Sequence, residues 1–359
     1  MNKVLGYSLG GLDMAECRSQ FAEFHDNIKL KEENEILSSK RDIIIKRIKD
    51  KLPDETDYNF EVFNQGSYAM HTGIKPLDSD YDIDVGLYFD MSKDDINPVD
   101  AKKWIYNALV GHTSDVKIKT PCVTVTYAAG YHVDVTVYAS NNSDGKVYLA
   151  KGKPTSKSDD KYWDESNPKN LIKEIRDHLS DKEDRKQFRR VVRYLKRWKD
   201  IKFTSVNGKP TGIALTSCVY HWLTVQRETD YFTGKTTYKD LDALINIVSN
   251  MISNFKDEYV IIDEEYQFMP RLRVYLPVEP KPELFEKMSY KQMKTFKEKL
   301  ETLLEALEEA KGKTDPTDAA EILKEQFGDD FPVPEKSTTG KKAMAAAVIS
   351  SSESASEER

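Results

Sequence analysis

Along residues 12–51 apolar and charged positions recur at helical spacing. Leu37, Arg41, Ile44 and Ile48 follow at intervals of four and three, with lysines between them. The pattern predicts one long amphipathic helix ended by Pro53. From "FEVFNQGSY" to "YHVDVTVYAS" the period shortens. Runs at 60–64, 83–89, 116–127 and 131–139 read as strands, and "PVDAKKWIYNALVGH" reads as a helix with Pro98 near its start. "SNNSDGKVYLA" at 140–150 carries an Asp-Gly hairpin signal. Beyond about residue 165 the helical period returns in "NPKNLIKEIRDHL", "EDRKQFRRVVRYLKRWKD", "TGIALTSCVYHWLTVQ", "YKDLDALINIVSNMISNF" and "SYKQMKTFKEKLETLLEALEEAK". "DPTDAAEILKEQFGDDFP" opens on Asp-Pro and stops at Gly328. The reading is a mixed module over 1–165, a helical module over 166–334, and a Ser/Ala/Lys/Glu-rich tail over 335–359 expected to be disordered.

Composition narrows this picture. A chain of 359 residues with 39% hydrophobic and 32% charged content is long enough for two buried cores. Its start lacks the apolar core of a signal peptide and no run approaches a membrane span, so a cytoplasmic protein with no membrane partner is expected. Cys17, Cys122 and Cys218 are scattered, which argues for a reducing compartment and against structural zinc. A net charge of −7 gives no indication of a nucleic-acid activator, although it leaves room for a local basic groove.

The chemistry concentrates in "GIKPLDSDYDIDVGLYF", where Asp78, Asp80, Asp82 and Asp84 occupy alternate positions ahead of an apolar strand. Residues i and i+2 of a strand share a face, so Asp82 and Asp84 point together while Ile83 and Val85 point into the core. "YHVDVTVY" isolates Asp134 between Val133 and Val135 in the same way. Buried like charges are costly without a counter-ion. A divalent cation shared by the three acids would supply one, and Mg²⁺ favours a few carboxylates plus substrate phosphates. An EF-hand is excluded, because its sixth position would be Val85 and its twelfth Met91. Upstream, Gly66 permits close backbone approach to a phosphate, and Ser67 adds a hydroxyl and an N–H. This order of elements suits two-metal phosphoryl or nucleotidyl transfer.

The helical module offers Arg189, Arg193, Lys196 and Lys199 near one helical face, either a cationic wall for a triphosphate or a solvated basic surface. Thr211 and Gly212 begin the next helix, either as a phosphate contact or as a simple cap. The six histidines show no ligand spacing, and Trp163, Trp198 and Trp222 read as core or interface residues.

Taken together, "GSYAMHTGIKPLDSDYDIDVGLYF", "HVDVTVY", "LKRWKD" with "PTGIALT", and "FGDDFP" resemble the cGAS/DncV-like nucleotidyltransferases (CD-NTases) of bacterial anti-phage CBASS systems. The resemblance implies an α+β fold: a polymerase-β-like nucleotidyltransferase palm, built as a mixed sheet with flanking helices and a long N-terminal helix, plus a C-terminal helical lobe. It implies an Mg²⁺-dependent enzyme, with Mn²⁺ as an alternative ion, making cyclic di- or trinucleotide second messengers from ATP and other NTPs. The alternative is a linear, template-independent polymerase or an oligoadenylate synthase. Asp82, Asp84 and Asp134 match the family's catalytic metal-binding acids, Gly66 and Ser67 its donor-phosphate loop, and Lys196 its triphosphate lysine. Thr211 falls where many members have Ser. Asp80/Asp82 is a second candidate for the paired acids, less favoured because Ile83 and Val85 flank the other pair correctly. There is no zinc insertion of the animal DNA-sensor kind, and "SASEER" is not a conjugation-type terminus. Control by a HORMA-type regulator with a remodelling ATPase, found in some branches, is left open.

Overall fold

The computed structural model describes residues 16–335, apart from positions 32, 79, 206 and 263. The expected disordered tail lies outside the described residues from 336 onward.

Two strands form the centre of a seven-stranded mixed sheet. β2 (Tyr81–Phe89) and β5 (Tyr131–Ala139) run parallel and in register. β1 (Phe60–Gln65) flanks β2 antiparallel, while β4 (Val123–Tyr127) and β3 (Asp115–Ile118) extend the other side. β6 (Tyr148–Ala150) and β7 (Trp163–Glu165) continue from the far end of β5. One sheet face is apolar throughout. Ile83, Val85 and Leu87 of β2 and Val133, Val135 and Val137 of β5 are fully buried. They lie under α2 (Glu33–Lys51), through Leu37, Ile44 and Ile48, and under α4 (Pro98–Leu109), through Ala101, Ile105 and Leu109. The alternate residues face the other way, as the two-residue strand period requires.

A second core belongs to the helices. α5 (Pro168–Asp177), α6 (Lys182–Lys202), α7 (Gly212–Trp222), α8 (Asp240–Ser253), α9 (Tyr290–Gly312) and α10 (Pro316–Phe327) pack their stripes together around Leu195, Trp198, Leu244 and Phe296. Most of these helices announce their start chemically. Thr211 caps α7, Asp181 caps α6, and Ser289 with Gln292 forms a capping box on α9.

Three expectations change. The single helix over 12–51 is two helices, α1 (Arg18–Ile28) and α2, with residues 12–15 outside the described part. Between them Lys29 turns to extended backbone and bridges Ile74, the Lys75 amide donates to Ile28 O at 2.8 Å, and Lys75 pairs with Glu33 at 3.1 Å. A tertiary contact breaks the helix where no local signal does. α1 then buries Phe21, Phe24 and Ile28 in the helical core, not under the sheet. The run 116–127 is a hairpin, turning at Pro121, and not one strand. The helical module also contains hairpins: β8 (Arg227–Thr229) with β9 (Thr236–Tyr238), and β10 (Lys256–Ile262) with β11 (Glu265–Arg271). No helix among the described residues is long and apolar enough to cross a membrane.

Candidate active site

Asp84 of β2 is the direct lateral neighbour of Asp134 on β5, and Asp82 sits two residues away on the same face. One carboxylate oxygen from each of the three lies within 4.8 Å of the others. Asp80 is not part of the group and pairs instead with His132. Thr124, the partner of Asp134 on β4, donates its hydroxyl to Asp134 Oδ1, and Cys122 lies 3.6 Å from that hydroxyl. No described lysine or arginine forms an ion pair with the three acids. Burial, with repulsion from its two partners, pushes Asp82 above the usual carboxylate range, although one side of it stays open to solvent. Burial and then Asp134 do the same to Asp84, opposed by the more distant Lys196. Such a set of hard oxygen donors, short of positive charge, fits a divalent cation.

Gly66 stands directly against these acids. Its φ of +66° is strained for other residues, and a Cβ there would collide with the Asp84 carboxylate. It opens the single helical turn α3 (Gly66–Ala69) at the end of β1. Gly66 and Ser67 line a cavity of about 400 Å³ whose opposite wall is built by Leu171 and Ile172 of α5, Lys196 of α6, and Gly212, Ile213 and Thr216 of α7. Leu276, Val278 and Pro282 close one side, and Asp164, Glu165 and Asn167 stand at the palm rim. The volume is that of a small-molecule site.

Lys196 is 7% exposed and donates to Thr72 O at 2.9 Å and Thr72 Oγ1 at 3.2 Å. Burial, reinforced by Lys199 and Arg193, lowers its pKa to about 7, against the pull of Asp200 and Asp84. Two other members of the expected cationic wall are otherwise occupied. Arg193 donates to His71 O and Gly73 O at 2.7 and 3.1 Å, and Lys199 pairs with Asp200 at 3.0 Å. The carbonyls of residues 71, 72, 73 and 75 need donors, and this helical face supplies them. Thr211 does not line the cavity; its hydroxyl accepts from Ala214 N at 3.3 Å as the α7 cap. Thr72 and Thr124 escaped the reading of the sequence, whereas Gly212, named there beside Thr211, does line the cavity. Only Thr124, a polar residue in the alternation "VTVTY", left a local signal.

Residues 60–138 match the family model described as cyclic GMP-AMP synthase DncV-like, nucleotidyltransferase domain. A cyclic GMP-AMP synthase of Escherichia albertii is 30% identical over 230 residues, 60% of this chain and 49% of the relative, so the match spans about half of that relative's length. In fold the chain is similar to the Bradyrhizobium diazoefficiens CD-NTase CdnG, solved with GTP (TM-score 0.65, 18% identity, 92% of this chain and 98% of that one). It is also similar to the Vibrio cholerae cyclic AMP-GMP synthase DncV (0.65, 17%, 89% and 97%) and to CdnC of E. coli MS115-1, solved with ATP (0.64, 18%, 89% and 99%). The expected CD-NTase resemblance and the α+β fold, a mixed sheet with flanking helices, are both met.

Proposed function

The chain carries a DncV-like nucleotidyltransferase domain at residues 60–138 within a CD-NTase fold, and from that premise we propose that it joins ATP and other nucleoside triphosphates into a cyclic di- or trinucleotide second messenger serving anti-phage defence in the cytoplasm. The observation that supports the reading is the close approach of Gly66, a residue lining the cavity, to Asp84, one of three converging acids. In this reading the Gly66 and Ser67 amides and the Ser67 hydroxyl receive the triphosphate from the palm side. Lys196 receives it from the helical side, and Thr211 acts indirectly, by fixing the start of α7 where Gly212 faces the cavity.

Asp82, Asp84 and Asp134 would hold Mg²⁺, or Mn²⁺ in its place, and the bound ion supplies charge neutralisation at the α-phosphate and a lowered pKa for the attacking hydroxyl. The residues of the chain do the orienting. Thr124 turns Asp134 through its hydroxyl, and the apolar walls from Leu171, Ile172, Ile213 and Val278 exclude water from the transfer. Repeating the transfer in one cavity brings the free hydroxyl of a linear intermediate back to the α-phosphorus of its own triphosphate end, and each new phosphodiester bond replaces an α–β bond with release of pyrophosphate.

The test is incubation of the purified protein with Mg²⁺ and radiolabelled ATP, GTP, CTP and UTP, followed by phosphatase, beside an Asp82→Asn/Asp84→Asn variant. Phosphatase-resistant product from the parent alone is expected. Phosphatase-sensitive ladders would replace the cyclase with the linear polymerase. No product at all, with or without a HORMA-type partner, would end the synthase reading.

A further inference from the structure

Thr72 is fully buried and bonded to both walls of the cavity. Its amide donates to Ser67 O at 2.9 Å, closing the turn that carries the Gly66–Ser67 pair. Its carbonyl and its hydroxyl both accept from Lys196 Nζ, 124 residues away in sequence. An ammonium group has three donors in fixed tetrahedral relation. Two are taken by Thr72, so the remaining N–H of Lys196 has one direction left, and Lys196 lines the cavity. The bare backbone of Gly212 lies close over the same side chain: a Cβ there would sit 3.3 Å from Lys196 Cε. Any buried amine needs acceptors. A backbone carbonyl would meet that need without a side chain, whereas here a hydroxyl adds a second, directional contact.

We propose that Thr72 is a positioning residue for the triphosphate, setting the direction of the free Lys196 N–H and the spacing between that donor and the Ser67 loop. The inference rests on the triphosphate reading given above and adds to it the residue that ties the two phosphate-binding walls together. The hydroxyl is the separable part, because Thr72→Val keeps the shape and the backbone contacts while removing one acceptor.

Binding of ATP and of AMP to the full chain, measured by calorimetry with Mg²⁺, tests it. Loss of one hydrogen bond to a charged group predicts about tenfold weaker ATP binding by Thr72→Val. AMP, which lacks the β- and γ-phosphates, should change by less than about twofold, and Thr72→Ser should restore ATP binding. If Thr72 acts through Lys196, Thr72→Val should have no further effect on ATP in a Lys196→Met background. Thr72→Ala replaces the valine variant should the latter fail to fold. Parental ATP affinity in Thr72→Val, equal losses for ATP and AMP, or an undiminished loss in the Lys196→Met background would each overturn the assignment. Absence of ATP binding by the parent would overturn the triphosphate reading itself, and this inference with it.

Discussion

Three carboxylates within 4.8 Å of one another, with no described cation paired to them, are poor neighbours once ionised. Asp82 and Asp84 are both held above their ordinary pKa by burial and mutual repulsion. The folded chain therefore binds more protons than the unfolded chain between the usual carboxylate range and the raised values of about 6 and about 8. Stability then falls as pH rises through that window. In EDTA the melting temperature should drop from pH 5 to pH 8 more than in Asp82→Asn/Asp84→Asn, and Mg²⁺ should stabilise more at pH 8 than at pH 5. An Mg²⁺ effect of equal size at both pH values would remove these acids as the metal site. Gly66→Ala combines a left-handed backbone with a collision at Asp84, so it should cost about 1–3 kcal/mol in urea unfolding and abolish the Mg²⁺-dependent rise. An undiminished rise would show that Asp84 moves aside freely. The acids, Gly66 and Ser67 were legible because strand alternation and a glycine-serine pair are local patterns. Thr72 was not, because its partner Lys196 is distant in the chain and nothing in "MHTG" announces it.

At the scale of elements, the helical stripes could be read because a period of 3.6 survives wherever a helix has one buried face. The β10–β11 hairpin could not, for the opposite reason. Its outer face carries Tyr259, Ile261, Tyr266 and Phe268 at 60–69% exposure, so apolar residues occupy both faces and the two-residue alternation vanishes. The boundary between α1 and α2 was invisible too, since the break is made by residues 74–75 and not by glycine or proline. That break gives α1 an allegiance of its own. Phe24 is fully buried among Tyr194, Phe327 and Phe331, all in the helical core. Phe24→Ala should cost about 3–5 kcal/mol in urea unfolding. Because α1 supplies none of the three acids and no residue of the cavity lining, the same variant should keep the Mg²⁺-dependent gain in melting temperature. Loss of that gain would mean that α1 also shapes the palm.

At the scale of the whole molecule, the cavity exists only where two separately built cores meet, and residues 71–75 form the seam. Arg193, Lys196 and Arg197 of α6 donate to the carbonyls of His71, Thr72, Gly73 and Lys75, and Arg197 also pairs with Asp330 at 3.1 Å. These are bonds from cationic side chains to backbone carbonyls, buried at Thr72, half-buried at Gly73 and Lys75 and exposed at His71. They join the sheet module to the helical module beside Met70 and Ile74, which pack into the helical core. Replacing both arginines by methionine keeps most of the side-chain volume but leaves the carbonyls of His71, Gly73 and Lys75 without these donors. The two cores should then lose their common unfolding transition. Calorimetry should show one endotherm for the parent and two for Arg193→Met/Arg197→Met. If ATP is held as proposed, between Ser67 on one side and Lys196 on the other, it should draw the two endotherms back together, because a ligand that requires both walls stabilises only their joined state. A single endotherm in the variant would show that the modules are held by contacts other than this seam. Two endotherms unmoved by ATP would show that the nucleotide rests on one wall alone.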